Sequence, residues 1–164
     1  MLGAGLYAQV TPEGIPDSVD WAEGMPYLIR NGRAAYSYVA DEELSSESTV
    51  MVSAAAVDKA ELNRELCAPG DFHPMPSIAY RLARVAAGDG ICGISLYAVS
   101  AHEVVAGHAL LRGAGGVFLD ENGADIRYVT DAEMRTVSQR CFGGSPSACR
   151  ELLTHDWDRI ITDL

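Results

Sequence analysis

Apolar and polar positions along the chain repeat with two different periods, which divide it into candidate strands and helices. Runs that are β-branched, continuously apolar or alternating are typical of strands. They comprise residues 1–9, 33–40, 49–54, 91–99, 117–119, 124–129 and 136–142. Runs with apolar or small residues at helical spacing comprise 58–66, 77–88, 100–113 and 146–161. Because strands alternate with helices and 117–129 forms a candidate hairpin, the pattern predicts an α/β fold, a layered sandwich with a mixed β-sheet flanked by helices.

Proline and glycine interrupt this pattern in two places. Residues 10–32 are rich in both and predict an irregular excursion on the surface, which ends in a turn at Asn31-Gly32. Residues 69–76 break the chain again. The acidic, serine-rich stretch 41–48 is expected to be solvated.

Polar residues stand where the predicted helices begin. Ser77 is placed to cap one of them, and Asp58 is placed to cap another or to begin its first turn. Ser145 precedes a proline at the first helical position, where the missing N–H costs nothing. Ser100 and Glu103 have the spacing of a capping box, in which the serine meets the amide of the third residue and the glutamate reaches back to the cap amide. By local chemistry Glu103 is therefore a helix cap.

Length and charge narrow the class of protein. The chain has 164 residues, 48% of them hydrophobic, which predicts a single domain over 1–164 with a real core. Its net charge of −11 would repel a phosphate backbone, so nucleic acid is not an expected partner. No segment approaches the roughly 20 apolar residues of a membrane span, and the first ten residues do not look like a signal peptide. We expect no membrane association and a cytoplasmic location.

Four cysteines are scattered along the chain without a Cys-x-x-Cys pair. They are Cys67, Cys92, Cys141 and Cys149. This spacing indicates neither a zinc knuckle nor a thioredoxin-like motif. Buried free thiols are expected in a chain with this much core, and two disulfides are the alternative.

The helix that begins after Ser100 carries the candidate chemistry. His102 and His108 are six residues apart, which places them roughly 120° apart around a helix, so they do not form the zinc motif whose histidines are four apart. A carboxylate at a helix N-terminus beside a strand end can nonetheless hold a divalent cation or organise a phosphate. The residues alone leave Glu103 as a cap or as a metal ligand.

Three blocks, in order, resemble the C-terminal half of the inositol monophosphatase family of magnesium-dependent phosphatases. The blocks are the serine-bearing helix ending in Val-Ala-Ala-Gly at 85–88, Ala-His-Glu-Val-Val-Ala-Gly at 101–107, and Gly-Ala-Gly-Gly at 113–116 followed by Asp-Glu-Asn-Gly at 120–123. The family has Val-Ala-x-Gly, then Trp-Asp-x-Ala-Ala-Gly, then Glu-Ala-Gly-Gly and an Asp-x-x-Gly hairpin. The resemblance covers about 49–153 and implies the C-terminal half of the inositol monophosphatase fold.

The resemblance also implies roles for particular residues. Glu103 falls on the family's metal-binding aspartate and His102 on the tryptophan before it. Ser77 and His102 are thereby implied to be substrate-binding, and Mg²⁺ is implied as the cofactor of Glu103.

Three positions differ from the family pattern. Gly113 stands where the glutamate of the turn is expected, Pro76 replaces a glycine, and Leu96 falls near a polar, sugar-contacting position. The family's Gly-x-x-Glu-Glu and Asp-Pro-x-Asp-Gly-Thr motifs, which supply most metal ligands, have no counterpart. Because phosphoester hydrolysis needs two or three cations held by several carboxylates, we expect no catalytic residue and weak magnesium binding at best.

These observations lead to three functional hypotheses. The first is a phosphatase-like half domain with a degenerate site, which binds a small phosphorylated ligand or a protein and forms a homo-oligomer because half a sandwich exposes an apolar face. The second is the C-terminal part of an active magnesium-dependent sugar, inositol or nucleotide phosphomonoesterase, completed by a partner chain with the missing N-terminal motifs. The third is an unrelated α/β domain with a pocket near Cys92, Ser100 and His102, in which His102 acts as base for a nucleophile.

Overall fold

A computed structural model describes residues 4–10, 16–35 and 39–161, of which 4–10 and Pro16 are described by their backbone alone. The first part of the chain forms an antiparallel meander, here called the N-terminal sheet. Its strands pair in sequence order: β1 (Ala4–Val10), β2 (Pro16–Ala22), β3 (Leu28–Arg30) and β4 (Arg33–Ala35).

A second sheet of five strands, here called the central sheet, has the order β6-β5-β7-β9-β8. Its strands are β5 (Thr49–Ser53), β6 (Asp71–Met75), β7 (Cys92–Ser95), β8 (Val117–Asp120) and β9 (Cys141–Gly144). β5 is parallel to both β6 and β7, whereas β9 runs antiparallel to β7 and to β8. The predicted mixed sheet is therefore confirmed.

Helices cover both faces of the central sheet. They are α1 (Ala60–Cys67), α2 (Ile78–Ala86), α3 (Ala101–Gly113), α4 (Asp131–Arg135), α5 (Pro146–Leu153) and α6 (Asp158–Ile161), with 3₁₀ turns at Val39–Asp41 and Ala54–Lys59. α2 and α3 pack together between the two sheets, and α1 and α5 pack on the outer face of the central sheet. The layers are thus sheet, helix pair, sheet and outer helices, which confirms the α/β sandwich.

The two central helices approach each other closely at Gly107. A Cβ there would lie 2.7 Å from the Cβ of Leu82, which is completely buried. Real side chains do not pack at that distance, so a glycine in α3 is what lets α2 lie against it.

The excursion predicted over 10–32 is wrong, because the segment contains β2 and β3. The prolines and glycines that the structure describes there lie at strand ends and turns: Pro16 opens β2 opposite Val10, while Gly24 and Pro26 lie between β2 and β3. The sequence pattern did not predict these strands, because prolines and glycines at the ends of short strands give the same composition as a long loop. The turn at Asn31-Gly32 is confirmed, with φ of 51° and 75°, and it joins β3 to β4.

Four further element boundaries differ from the prediction. The break at 69–76 is strand β6, which tolerates Pro74 because it lies at the sheet edge. The hairpin partner at 124–129 does not form a strand, and only Asp125 bridges to Leu119. The strand predicted over 33–40 corresponds to β4, which ends at Ala35, and residues 36–38 lie outside the described residues. The strand predicted over 136–142 begins later in the structure, as β9 at Cys141.

Two helix boundaries depend on packing that a helical pattern does not reveal. A 3₁₀ turn precedes α1, so Asp58 does not cap it. The predicted helix over 146–161 ends at Leu153, and the buried Trp157 donates from Nε1 to the carbonyl of Leu152 at 2.7 Å. The Trp157 ring packs against Phe142 of β9, so the chain turns back toward the central sheet after α5.

Candidate functional site

The candidate residues lie at one edge of the central sheet. β6 leads into α2 and β7 into α3, and both strands run parallel to β5. The carboxyl ends of these strands and the N-termini of α2 and α3 therefore meet at the same edge, where α/β proteins bind ligands. Ser77, His102 and Glu103 are brought to this edge.

Glu103 caps α3, as its spacing predicts. Its Oε2 accepts the Ser100 N–H at 2.8 Å and the Ser100 hydroxyl at 2.7 Å. The hydroxyl bond, followed by the N–H bond, lowers the pKa of this carboxyl below its ordinary value. The cap therefore carries a negative charge at neutral pH, at the positive end of the α3 dipole.

His102 extends this hydrogen-bond chain. Its Nδ1 lies 2.8 Å from the Ser100 hydroxyl oxygen. Because the single hydroxyl proton points to Glu103, the bond requires Nδ1 of His102 to donate. In this arrangement the serine proton points to Glu103 and not to His102, so it does not support a nucleophilic serine activated by His102.

Helix α4 lies on the surface opposite Ser100 and His102. Asp131, Met134 and Arg135 line an open hollow of about 410 Å³ with Ser100 and His102. Sequence reasoning missed α4, although its signal was present. Thr130 and Glu133 form a second capping box, in which the Glu133 N–H donates to Thr130 Oγ1 at 3.1 Å.

Ser77 does not cap α2. It precedes α2 with φ of 55°, and its side chain makes no capping bond, so the predicted cap is wrong. A positive φ is unfavourable for a residue with a Cβ. Ser77 and the preceding Pro76 are exposed, which leaves this helix end open to solvent.

The side chain of Trp21 fills the space beside Gly113, the residue at the position of the family's turn glutamate. A Cβ on Gly113 would lie 2.5 Å from Cγ of Trp21, whose side chain is buried and donates from Nε1 to the carbonyl of Met25 at 3.0 Å. A glutamate cannot occupy the same space. The N-terminal sheet thus covers the point where the family places a carboxylate.

Leu96 contributes to an apolar cavity instead of a polar contact. The cavity has a volume of about 100 Å³ and lies where β5 and β7 end, beside the 3₁₀ turn before α1. Its lining includes Val52, Lys59, Asn63, Ile94, Leu96 and Ile160. This chemistry differs from the sugar-contacting character that the resemblance assigns to the position.

His108 is separate from the His102 chain. Its Nδ1 lies 2.9 Å from the Tyr128 hydroxyl, and its ring packs against Phe118. Burial, and secondarily the charge of Arg112, lowers the pKa of His108 to about 4. It is a neutral core histidine at physiological pH.

The donor set of the described residues does not fit a magnesium site. Within the described ranges, no group of three or more His, Cys, Asp or Glu is placed to hold a metal ion. Glu103 contributes one carboxylate, and one of its oxygens already accepts both Ser100 bonds. Magnesium prefers an octahedron of oxygens, usually with more than one carboxylate or phosphate.

All four cysteines are buried and free, as expected. Cys92 Sγ lies 3.5 Å from Cys149 Sγ of α5, on the face of the central sheet away from α3. Burial raises the pKa of Cys92. These contacts do not support Cys92 as a nucleophile beside Ser100 and His102.

Arg81 is a buried cation that sequence reasoning missed. It is 5% exposed, its Nη1 donates to the carbonyl of Met75 at 3.4 Å, and its Nε has no hydrogen-bond partner. The signal was its position on the inner face of α2, one residue before Leu82 and four before Val85, where an apolar residue is expected.

No helix among the described residues is both long and apolar enough to span a membrane.

Comparison with known proteins gives the class of the fold. No protein-family model matches the sequence, and no curated protein matches it significantly. Solved structures do match. Inositol monophosphatase II from Staphylococcus aureus has a TM-score of 0.67 at 12% identity, over 96% of this chain and 58% of its own. The extragenic suppressor protein suhB from Bartonella henselae has 0.64 at 16% identity, over 91% and 57%.

Inositol monophosphatase from Anabaena (Nostoc) has a TM-score of 0.60 at 21% identity, over 90% of this chain and 55% of its own. The chain thus has the fold of inositol monophosphatases and spans little more than half the length of these relatives, consistent with their C-terminal half. Because the matches cover at least 90% of this chain, they extend beyond the predicted 49–153 into the N-terminal sheet.

Proposed function

We propose that this chain is a phosphatase-like half domain that binds a small ligand or a protein partner and does not hydrolyse phosphate esters alone. The carrying observation is the state of Glu103, which caps its own helix and belongs to no group of three or more potential metal ligands among the described residues. Hydrolysis of a phosphate ester needs several carboxylates around its cations. One capping glutamate does not supply them.

A small phosphorylated molecule is the ligand class that the relatives favour. Staphylococcal inositol monophosphatase II has been solved with inositol monophosphate and with 2'AMP. Both ligands are phosphate monoesters of a ring alcohol. In this chain we place the ligand at the carboxyl ends of β6 and β7, where Ser77 and His102 lie.

Association with a second chain is the other part of the proposal, either as a homo-oligomer or with an N-terminal partner. The physical reason differs from the predicted one, because the N-terminal sheet already covers α2 and α3. Support comes instead from length, since almost half of each relative has no counterpart here. Light scattering of the purified chain would give its mass.

The test is calorimetric titration of Mg²⁺ into the wild type and Glu103→Ala, together with a phosphatase assay on inositol monophosphate and 2'AMP. We expect no turnover and a Kd for Mg²⁺ weaker than about 0.1 mM. Tighter binding that disappears in Glu103→Ala, or turnover by the chain alone, would contradict the proposal.

A second candidate is a phosphomonoesterase completed by another chain. It is favoured by the matched length, because the structures match nearly all of this chain yet little more than half of themselves. Mixing this chain with one that carries Asp-Pro-x-Asp-Gly-Thr should then produce magnesium-dependent turnover. Glu103→Ala should abolish that turnover, because the mixed site would use its carboxylate.

A further inference from the structure

The apolar cavity beside Leu96 lies on the outer face of the central sheet, next to the 3₁₀ turn before α1. Val52 of β5 and Ile94 of β7 are its most buried walls, and both belong to the core under α1 and α5. Ala56 and Ile160 add further aliphatic surface. The cavity therefore offers hydrocarbon walls around a volume of about 100 Å³.

One buried polar side chain lines this apolar space. Asn63 of α1 is only 2% exposed, and its Nδ2 donates to the carbonyls of Ala56 at 3.3 Å and of Lys59 at 3.0 Å. Because a carbonyl can only accept, these two bonds fix the nitrogen side of the amide. Its Oδ1 accepts no hydrogen bond from the part of the chain that the structure describes. Oδ1 is thus the polar atom that Asn63 can offer to the cavity.

The rim of the cavity is open, and its charges cancel. Ala55, Asp58 and Tyr97 are exposed, so a ligand can enter from that side. Asp58 and Lys59 bring one charge of each sign, and the Lys59 ammonium already donates to the carbonyl of Ile160 at 2.6 Å. The Tyr97 ring, 52% exposed, adds aromatic surface at the entrance. The lining therefore favours neither an anion nor a cation.

The buried walls suit an organic molecule better than water. A buried water is typically held by about two to four polar partners. Of the four buried lining residues, Val52, Ala56 and Ile94 are apolar, and Asn63 has one free acceptor. Since an apolar cavity of about 150 Å³ binds benzene, a cavity of about 100 Å³ with an open rim has room for a six-membered ring.

We propose that this cavity is a binding site for a small, uncharged ring compound that carries one hydrogen-bond donor, such as a phenol. The ring lies against Val52 and Ile94, and its donor meets Asn63 Oδ1. Burial of the ring supplies the affinity, and the unpaired acceptor selects for the donor. Neither Ser77 nor His102 lines the cavity, so this is a second binding function, independent of the ligand proposed above.

The test is an NMR titration of the full chain with phenol, benzene and myo-inositol, which are six-membered rings with one, no and six hydroxyl groups. Phenol should bind about tenfold more tightly than benzene, because only phenol can donate to Asn63. Myo-inositol should not bind, since its hydroxyls would exchange water for aliphatic walls. Phenol ring protons should give nuclear Overhauser effects to the methyl groups of Val52 and Ile94.

Ala55→Phe and Ala54→Phe form a matched pair of variants. Both alanines are exposed in the same 3₁₀ turn, but Ala55 lines the cavity and Ala54 does not. A ring at position 55 should occupy the ligand's space and abolish phenol binding. Ala54→Phe should bind phenol as the wild type does. Equal binding by the two variants would contradict the location.

Asn63→Leu tests the acceptor, because it keeps a side chain of similar size without the oxygen. The preference for phenol over benzene should fall from about tenfold to about one, while benzene still binds. The wild-type titration makes the test independent of folding in this variant. Absence of phenol binding, equal affinities for phenol and benzene, tighter binding of myo-inositol, or contacts elsewhere in the chain would each overturn the site.

Discussion

At the scale of single residues, two sets of partners decide what Glu103 does: a local set within its own helix and a distant set elsewhere in the chain. The local one is complete, because Ser100 supplies two donors to the same carboxylate oxygen. The distant one, a set of carboxylates for magnesium, is missing among the described residues. A carboxylate, although a glutamate, stands where the resemblance places the family's metal-binding aspartate, and in this structure it caps its own helix.

Glu103→Ala should destabilise the fold by about 1 kcal/mol, or about 2–4 °C in Tm, through loss of the cap. Glu103→Gln keeps the acceptor oxygen and should retain most of this stability at pH 7. The folded pKa of Glu103 is lowered, so its contribution exists above its ordinary pKa and is lost as pH falls through the folded value. An unchanged Tm in Glu103→Ala would contradict the cap.

His108 should make the stability of the protein depend on mildly acidic pH. Burial lowers its folded pKa to about 4, below the unfolded value of 6.5. The unfolded chain therefore binds the proton first, so stability is full above pH 6.5 and falls toward pH 4. Between pH 7 and pH 5 this corresponds to about 2 kcal/mol in urea unfolding.

The variant that isolates this effect is His108→Phe, which should be less sensitive to pH over that interval. His73 is exposed on β6, so His73→Gln is a matched control that should leave the sensitivity unchanged. Equal pH dependence in the wild type and His108→Phe would contradict the assignment.

At the scale of elements, one aromatic ring fixes the closest approach between the N-terminal sheet and the end of α3. Trp21 of β2 lies over Gly113, the last residue of α3. The indole occupies the space that a side chain at position 113 would need. Helix and sheet are thereby held at a separation that only a glycine permits.

Gly113→Ala should destabilise the protein by about 1–3 kcal/mol, because the new Cβ overlaps the indole ring. Trp21→Ala should also destabilise it, by about 3–5 kcal/mol. In the double variant the overlap is gone, so the loss should be smaller than the sum of the two. Additive losses in chemical denaturation would show that the two residues do not share this contact.

At the scale of the whole molecule, the N-terminal sheet covers the apolar faces of α2 and α3 that a second chain was expected to cover. Val19, Trp21 and Leu28 are buried in the same core as Leu82 and Leu110 of the central helices. The apolar face that a half domain was expected to expose is thus covered from within the chain.

Deletion of residues 1–35 should expose the outer faces of α2 and α3. We expect the truncated chain to bind a hydrophobic dye and to self-associate, because an uncovered apolar face of this kind promotes association. Light scattering of both chains measures this. A truncated chain with the mass and cooperative unfolding of the full chain would contradict the covering role.

Part of this protein is determined by residues close together in sequence. The caps at Glu103 and Ser145, the turn at Asn31-Gly32 and the core strand β5 follow from chemistry within a few positions, so they could be predicted. The site residue Glu103 was found for the same reason. Its role as a cap needs only its own helix.

The rest was decided by tertiary structure, for a physical reason. Trp21 meets Gly113, and Arg30 pairs with Asp89, across long stretches of chain, and no local pattern encodes such contacts. The burial of Arg81 likewise depends on β6 and β7 closing around α2. Local hydrogen bonds specify where elements begin, whereas the packing of distant elements specifies which charges and surfaces they leave unpaired.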